Sequence, residues 1–545
     1  MSAPRREPPG WLPPVAGALG EALARLHGLS PDPVLAQLVS ALTLALERGE
    51  VELDLAGPPP PGVEAAAWPG RHRAALEASP LAAEPDGPLA LEGDRLLWRR
   101  WQRRRRAVLA ALLERVTPLP PGERPAGPPP LPAHLDGRQR QAVHAVLRHR
   151  LVLLEGGPGT GKTSTVAAML AAVREQRPEA RLHLAAPTGK AAARLRAATG
   201  GDWPCTTLHR LLESRGERFG RGRRRPLALD LLVVDEVSMV DLTLMEALLE
   251  ALPDPCRLVL VGDPAQLPPI APGPVLLELQ RPDLRRRLGA AAVTLTTPYR
   301  NAGPIAAAAA LLREGIGEDP APAGEDPLAP LCGRLAPADG AGPLVRETAP
   351  PRTPPRRVLE RLAEHRRRLA ALAERCRPQG GADDDAWREL LAERDALLVL
   401  SPVRRGPWGL EALHRAVLGE AATAGPGGWP AGTPVLCTRN LPELGLANGD
   451  VGVLVRAAGA EAVPWVLFGD PGAEAPLRVH PAQLAGAAEP AFALTVHKAQ
   501  GSEAEEVLVL LPEGERLDRR LLYTALTRAR RRVLLVTPPP SANER

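Results

Sequence analysis

A chain of 545 residues carrying 64 prolines and 51 glycines is too long for one core and should form several domains joined by interrupted loops. Its formal charge is only +5, but arginine runs at 103–106, 223–225, 285–287 and 366–368 suit either a polyanion partner or solvated helix faces. Five scattered cysteines without a CxxC pair argue against a zinc or iron–sulfur site and fit a reducing cytoplasm. Neither an apolar signal core nor an apolar run of about 18 residues is present, so no membrane association is expected.

Residues 1 to about 116 read as a helical N-terminal domain. Asp32-Pro33 is a cap and first-turn pair, and Leu35, Leu38, Val39, Leu42 and Leu46 form one apolar helix face that stops near Gly49. Residues 51–55 alternate like a short strand, and a second helix is expected over about 97–116. Residues 117–134, rich in Pro and Gly, read as a linker. From Leu135 the texture changes to short apolar runs alternating with helices, the pattern of a parallel sheet with helical crossovers. The run 151–154 ends at a glycine loop and 163–173 continues as helix. Runs 231–234 and 258–261 end at Asp235-Glu236 and Gly262-Asp263. Functional groups thus follow the carboxyl ends of strands, where open α/β sheets bind ligands. Residues 213–228 are either a short hairpin or an arginine-rich loop. A second α/β block runs over 298–545, broken by a Pro/Gly-rich stretch at about 318–356 and a strand-rich insert at about 432–490.

Only three of the 68 basic residues are lysine, and each sits in a motif: Lys162, Lys190 and Lys498. An arginine-biased genome explains the scarcity of lysine but not these positions. Gly156-Gly157-Pro158-Gly159-Thr160-Gly161-Lys162-Thr163 matches G-x-x-x-x-G-K-T between an expected strand and an expected helix. Backbone N–H groups from Gly156 through Ser164 would cradle phosphates, Lys162 would neutralise the β and γ oxygens, and Thr163 would bind magnesium. Asp235 completes that metal site, and Glu236 is placed to polarise the attacking water. ATP and Mg2+ are the expected cofactors. Gln266, in Gly262-Asp263-Pro264-Ala265-Gln266-Leu267-Pro268-Pro269, could sense the γ-phosphate. Arg300, after Tyr299, and Arg528, in Thr527-Arg528-Ala529-Arg530, are candidate arginine fingers.

This series is complete and in order, and it resembles the superfamily 1 DNA helicases of the 5′-to-3′ branch, specifically the RecD family of exodeoxyribonuclease V alpha subunits. The resemblance is carried by Gln139 in Leu135-Asp136-Gly137-Arg138-Gln139, the phosphate loop, 186–195 with Lys190, and Thr206-Thr207-Leu208-His209. It continues through Asp235-Glu236, 262–269, Tyr299-Arg300, 493–502 with Lys498, and 522–530. Gly406-Pro407-Trp408-Gly409-Leu410, Thr438-Arg439-Asn440, 446–450, Gly49-Glu50-Val51 and Gly93-Asp94-Arg95-Leu96 are similar to RecD-type sequences. The family pattern is departed from at Ala499, where Ser is frequent, and at His414, where Asn is usual. Residues 318–394 match nothing in it.

The resemblance implies an α/β protein of two RecA-like P-loop NTPase domains, 135–297 and 298–545, with ATP in the cleft between them and Gln139 reading adenine. It implies a single-strand track lined by Thr188, Lys190, Thr207, His209, Thr495, His497 and Lys498, with Trp408 either stacking a base or packed in a core. It implies a small SH3-like subdomain at 432–490, and residues 1–116 docked on the beta and gamma subunits of a heterotrimer acting at DNA ends. Since all three lysines belong to the motor motifs, a nuclease site needing its own lysine is expected on a partner chain. A stand-alone RecD-like helicase and a non-catalytic DNA-binding subunit are the alternatives.

Overall fold

A computed structural model describes residues 14–30, 32–124, 130–216, 218–299, 303–316, 328–337, 342–376, 386–456, 463–469, 475–513 and 518–539. Two parallel sheets dominate it. The first has six strands in the order Ala292–Leu295, Leu151–Gly156, Arg257–Gly262, Leu231–Val234, Leu182–Ala186, Cys205–Thr207. Its central strands are buried along their whole length because helices cover both faces, which is why they read as unbroken apolar runs. The three strands that precede the glycine loop, Asp235 and Asp263 lie side by side, Leu151 pairing with Leu258 and Leu258 with Leu232. Their carboxyl ends therefore open onto one edge of the sheet.

The second sheet is also parallel, in the order Ala336–Pro337, Leu344–Thr348, Ala529–Thr537, Ala504–Leu510, Leu397–Leu400. Between its strands the chain leaves to form a five-stranded antiparallel sheet from Pro434–Cys437 to Ala488–Pro490. That sheet has its own core of Trp429, Val435, Leu454, Val466 and Phe468. The described residues within 318–394 contribute strands Ala336–Pro337 and Leu344–Thr348, helix Ala386–Arg394 and the long helix Arg356–Arg375, which buries Val358, Leu362, His365, Leu369 and Ala373 at a helical period. The run at 366–368 belongs to this helix, and Arg368 pairs with Glu364 and Glu393 within the same block. The run at 285–287 likewise sends Arg285 to the buried Glu155, 2.8 Å away. The 213–228 segment includes a hairpin of two residues per strand, Ser214–Arg215 with Arg218–Phe219, and the Glu213 carboxylate at its base pairs with Arg221 and Arg225.

The N-terminal region is not simply helical. Helices Pro14–Leu26 and Pro33–Glu47 pack together, and Glu52–Asp54, Arg95–Trp98 and Leu89–Glu92 form an antiparallel sheet. Asp32 caps the second helix by accepting from Val34 N at 2.8 Å. The helix expected over 97–116 runs instead from Arg99 to Glu114, because Leu97 and Trp98 are taken into the sheet.

A further correction concerns the separateness of residues 1–116. Trp101, Val108 and Leu112 of the Arg99–Glu114 helix share one buried cluster with Leu242, Leu248, Leu232 and Leu258 of the first large-sheet block. Arg105, 4% exposed, pairs with Glu52 and Glu92 on one side and lies 3.6 Å from Glu278 on the other. The expected linker is also partly built in, since Leu119 is buried and donates its N–H to Arg148 O at 2.7 Å. Proline and glycine content registers the lack of regular structure there but not that the chain lies against a neighbour.

Candidate nucleotide site and DNA groove

The glycine loop joins strand Leu151–Gly156 to helix Lys162–Gln176, whose N-terminal N–H groups point into a cleft of about 350 Å3. Gly159 and Gly161 take φ of 74° and 83°, left-handed values that a side chain resists, so the loop can curl back over the helix start. Lys162 Nζ donates to Gly156 O at 2.7 Å and Gly157 O at 3.0 Å, which holds the ammonium at the mouth of the loop.

Asp235 and Glu236 enter the same cleft from the end of strand Leu231–Val234, two places along the sheet from the loop's own strand. Glu236 also takes a left-handed φ of 53°, strained for a non-glycine residue, and its N–H donates to Asp235 Oδ1 at 2.8 Å. Burial, and then the Glu236 charge, push the Asp235 carboxyl above the usual carboxylate range, while Lys162 opposes the rise. A desolvated carboxylate in the cleft that Thr163 also lines suits a hard divalent cation. No cluster of three or more His, Cys, Asp or Glu is present among the described residues. Such a sparse set fits magnesium, which keeps waters and takes phosphate oxygens as further ligands.

Gln139 forms a reciprocal capping box with Asp136, and its Nε2 lies against Gly161. Tyr299 joins this edge, donating its hydroxyl to Asp136 Oδ2 at 2.6 Å and its N–H to Gly159 O at 2.8 Å, with the ring half exposed. From the second block, Arg528 reaches in, 3% exposed, and donates to Gln266 Oε1 at 2.9 Å. Arg300 lies outside the described residues.

The two blocks are tied at this point. Tyr523 donates to Asp263 Oδ2 at 2.6 Å, Leu267 N donates to Thr524 Oγ1 at 2.9 Å, and Gln500 Nε2 donates to Leu267 O at 2.8 Å. Nearby, Arg194 bonds to Glu503 and to Gly501 O. Asp263, Gln266 and Leu267 are therefore bonded to the segments that follow Thr495 and Leu522.

A second groove, of about 420 Å3, lies between helix Gly189–Ala198 and the loops of the antiparallel insert, and Thr207 and His209 line it with Asn440 and Asp450. Thr188 caps that helix by accepting from Ala191 N, and Thr495 accepts from Lys498 N. Lys190 bridges to Ser502 and, at 3.6 Å, to Asp395, while Lys498 pairs with Glu489 at 3.2 Å. Burial pulls the pKa of His209 and of His497 down, which favours the neutral imidazole at both. Trp408 is corrected: it is 1% exposed, packed in the core of the second block, and donates its indole N–H to Thr353 O at 2.8 Å. No base can stack on it. A larger cleft, about 720 Å3, between the Arg99–Glu114 and Leu242–Ala251 helices holds none of these motif residues.

Residues 139–272 match the AAA domain model and 490–536 the UvrD-like helicase C-terminal domain model. The RecBCD enzyme subunit RecD of Mycobacterium tuberculosis is 38% identical over 95% of this chain and 89% of its own length. The chain belongs to the RecD family. Another RecD-type relative, the ATP-dependent RecD2 DNA helicase of Deinococcus radiodurans, is 33% identical over 85% of this chain but only 59% of its own length. Among solved structures, a Bacteroides Pif1 bound to single-stranded DNA covers 76% of this chain at 17% identity, with a TM-score of 0.40.

Within this RecD-family chain, sequence reasoning missed Arg194, Glu503 and Tyr523 as residues that join the two blocks at the cleft. Tyr523 carried a signal, being one of only two tyrosines in the chain, both in motif-like segments. Arg194 carried none among so many arginines. His414, flagged only as a departure from the family's Asn, is buried with Nε2 3.2 Å from both Ala493 O and Ala493 N, and so braces the start of the 493–502 segment. Burial pulls its pKa down from 6.5 to about 4. The folded chain therefore binds fewer protons than the unfolded one between these values, and stability present above pH 6.5 is lost progressively as pH falls toward 4. Between pH 7 and pH 5 the native chain should lose about 2 kcal/mol more than a His414→Asn variant. Thermal melts of both at the two pH values check this; parallel losses would refute it.

Proposed function

We propose that this chain is an ATP-dependent DNA helicase that moves 5′-to-3′ along a single strand as the RecD subunit of a RecBCD-type enzyme. The observation that carries the reading is the convergence of the glycine loop, Asp235-Glu236 and the Gln266–Arg528 pair in one cleft between two parallel-sheet blocks. Lys162 and the helix N-terminus bind the triphosphate, and Gln139 and Tyr299 border the side where a base would lie. Magnesium, held by Thr163 and Asp235, would neutralise charge on the β- and γ-phosphates. Glu236 orients and deprotonates the attacking water, and Arg528 stabilises charge spreading over the transferred phosphoryl oxygens. Because Gln266 and Leu267 are bonded across the cleft, loss of the γ-phosphate is read directly by the segment bearing His497 and Lys498. Thr188, Lys190, Thr207, His209, Thr495, His497 and Lys498 supply the track, and the cycle moves its two halves relative to each other.

On this reading residues 135–297 and 298–545 are the RecA-like domains, the 432–490 sheet is the SH3-like subdomain, and docking on the beta and gamma subunits falls to the part of 1–116 that precedes Arg99. Nuclease chemistry is left to a partner, and the enzyme works on DNA ends in the cytoplasm. No helix among the described residues is long and apolar enough to cross a membrane.

Polarity is tested by strand displacement. Duplexes with a 5′ single-stranded overhang should be unwound in the presence of ATP, and duplexes with only a 3′ overhang should not. The reverse preference would overturn the 5′-to-3′ assignment. Purification of the native protein with two much larger companions would support the subunit reading over a stand-alone helicase, and recovery without them would count against it.

A further inference from the structure

One cation at the nucleotide cleft has no part in the roles above. Arg313 stands at the last turn of helix Pro304–Glu314, which buries Ile305, Ala308, Ala309 and Leu312 in the core of the second block. A basic residue at that position often serves only its own helix terminus. Here the guanidinium reaches the glycine loop of the first block instead. Its Nη1 lies 2.9 Å from the point a Cβ on Gly157 would occupy, and the Tyr523 hydroxyl is 3.3 Å from the same point. Any side chain at position 157 would meet the guanidinium.

The position along the loop matters. Gly157 carries one of the two carbonyls that hold Lys162 Nζ, so the guanidinium faces the end of the loop where the terminal phosphate would sit. Arg313 is half-buried, and among the described residues it has no ion pair with a carboxylate. Its charge is felt locally, opposing the burial that raises the Tyr523 phenol. A planar fork held in place by a buried helix, with its donors turned toward a phosphate loop on the other block, is the arrangement suited to bidentate recognition of phosphate oxygens.

We propose that Arg313 contacts the terminal phosphate of the bound nucleoside triphosphate from the second block, adding a cation to Lys162 and Arg528. It makes closure of the cleft depend on whether that phosphate is present. A diphosphate leaves Arg313 nothing to grip, and the Pro304–Glu314 helix is released from the loop. This inference rests on the ATP-hydrolysis reading above.

The test uses the full-length chain with Arg313→Ala and Arg313→Lys. DNA-stimulated kcat and KM for ATP are measured, together with equilibrium affinities for ATPγS and ADP by displacement of a fluorescent nucleotide, and Tm. The alanine variant should lose on the order of 100-fold in kcat. It should bind ATPγS more weakly while ADP affinity and Tm stay at native values, and lysine should restore part of both losses. Unchanged kcat together with an unchanged ATPγS-to-ADP affinity ratio in Arg313→Ala would overturn the proposal. So would an equal loss of both affinities accompanied by a lower Tm, which is what a structural role predicts. A native chain that shows no DNA-stimulated hydrolysis would instead refute the ATPase reading, and the affinity ratio would still report on Arg313.

Discussion

Glu236→Gln is expected to retain ATP binding but to lower DNA-stimulated kcat by about 10²–10⁴-fold, the range for removing a positioned general base. The comparison is clean because glutamine has nearly the same shape and faces the same strained, left-handed backbone at φ 53°. What changes is the charge. The substitution removes the carboxylate that activates water, and it also removes the like charge that helps raise the Asp235 carboxyl. Asp235 should then ionise more readily, so magnesium-nucleotide affinity should hold or rise while turnover fails. Lys162→Ala should behave differently, because it deletes the ammonium held at Gly156 O and Gly157 O and weakens nucleotide binding itself. Measured kcat, KM and nucleotide affinity for the two variants separate these outcomes. Native-like hydrolysis by Glu236→Gln would remove Glu236 from the mechanism.

A chain that starts at Ala133 is expected not to fold as a motor at all. Composition alone, with its Pro/Gly-rich stretch before Leu135, invites the opposite expectation of a self-sufficient unit. The structure places Trp101, Val108 and Leu112 in the same buried cluster as Leu242, Leu248 and Leu258. Exposing the apolar surface under three such side chains costs roughly 1.5–3 kcal/mol each, comparable in sum with the whole stability of an ordinary domain at about 5–15 kcal/mol. Polar terms add to this. Arg115 donates to the carbonyls of Leu252, Pro253 and Cys256, and Arg105 offsets Glu278, whose carboxyl burial already pushes up. The truncated chain should aggregate or melt without cooperativity and show no DNA-stimulated ATPase. A chain that starts at Ser30, losing only the Pro14–Leu26 helix on the outer side, should keep it. Cooperative melting and native ATPase activity in the Ala133 chain would overturn this account.

The sequence by itself determined the parts of this protein whose signals are local in the chain. Unbroken apolar runs at 151–154, 231–234 and 258–261, too short for helices and each ending at a glycine or acidic motif, read as strands covered on both faces, and the glycine loop needs its left-handed positions whatever surrounds it. The order of motifs, with every lysine inside one, carried the family resemblance and therefore Lys162, Asp235, Glu236 and Gln266. The helix Arg356–Arg375 was not read from the sequence, although the spacing of Val358, Leu362 and Leu369 carries its period, because arginine density and flanking prolines masked it.

Tertiary structure alone decided which side chains meet across the fold. Trp408 sits in a motif-like turn, and nothing local reveals that the carbonyls of Pro350 and Thr353, more than fifty residues earlier, close over its indole. Tyr523 and Asp263, or Arg313 and Gly157, are separated by well over a hundred residues, and their contact depends on how two independently cored blocks face each other. The same holds for the Arg99–Glu114 helix. Its amphipathic pattern states that one face is buried but not whether the covering surface belongs to its own domain or to the motor, because burial lowers free energy in proportion to area and is indifferent to the origin of that area.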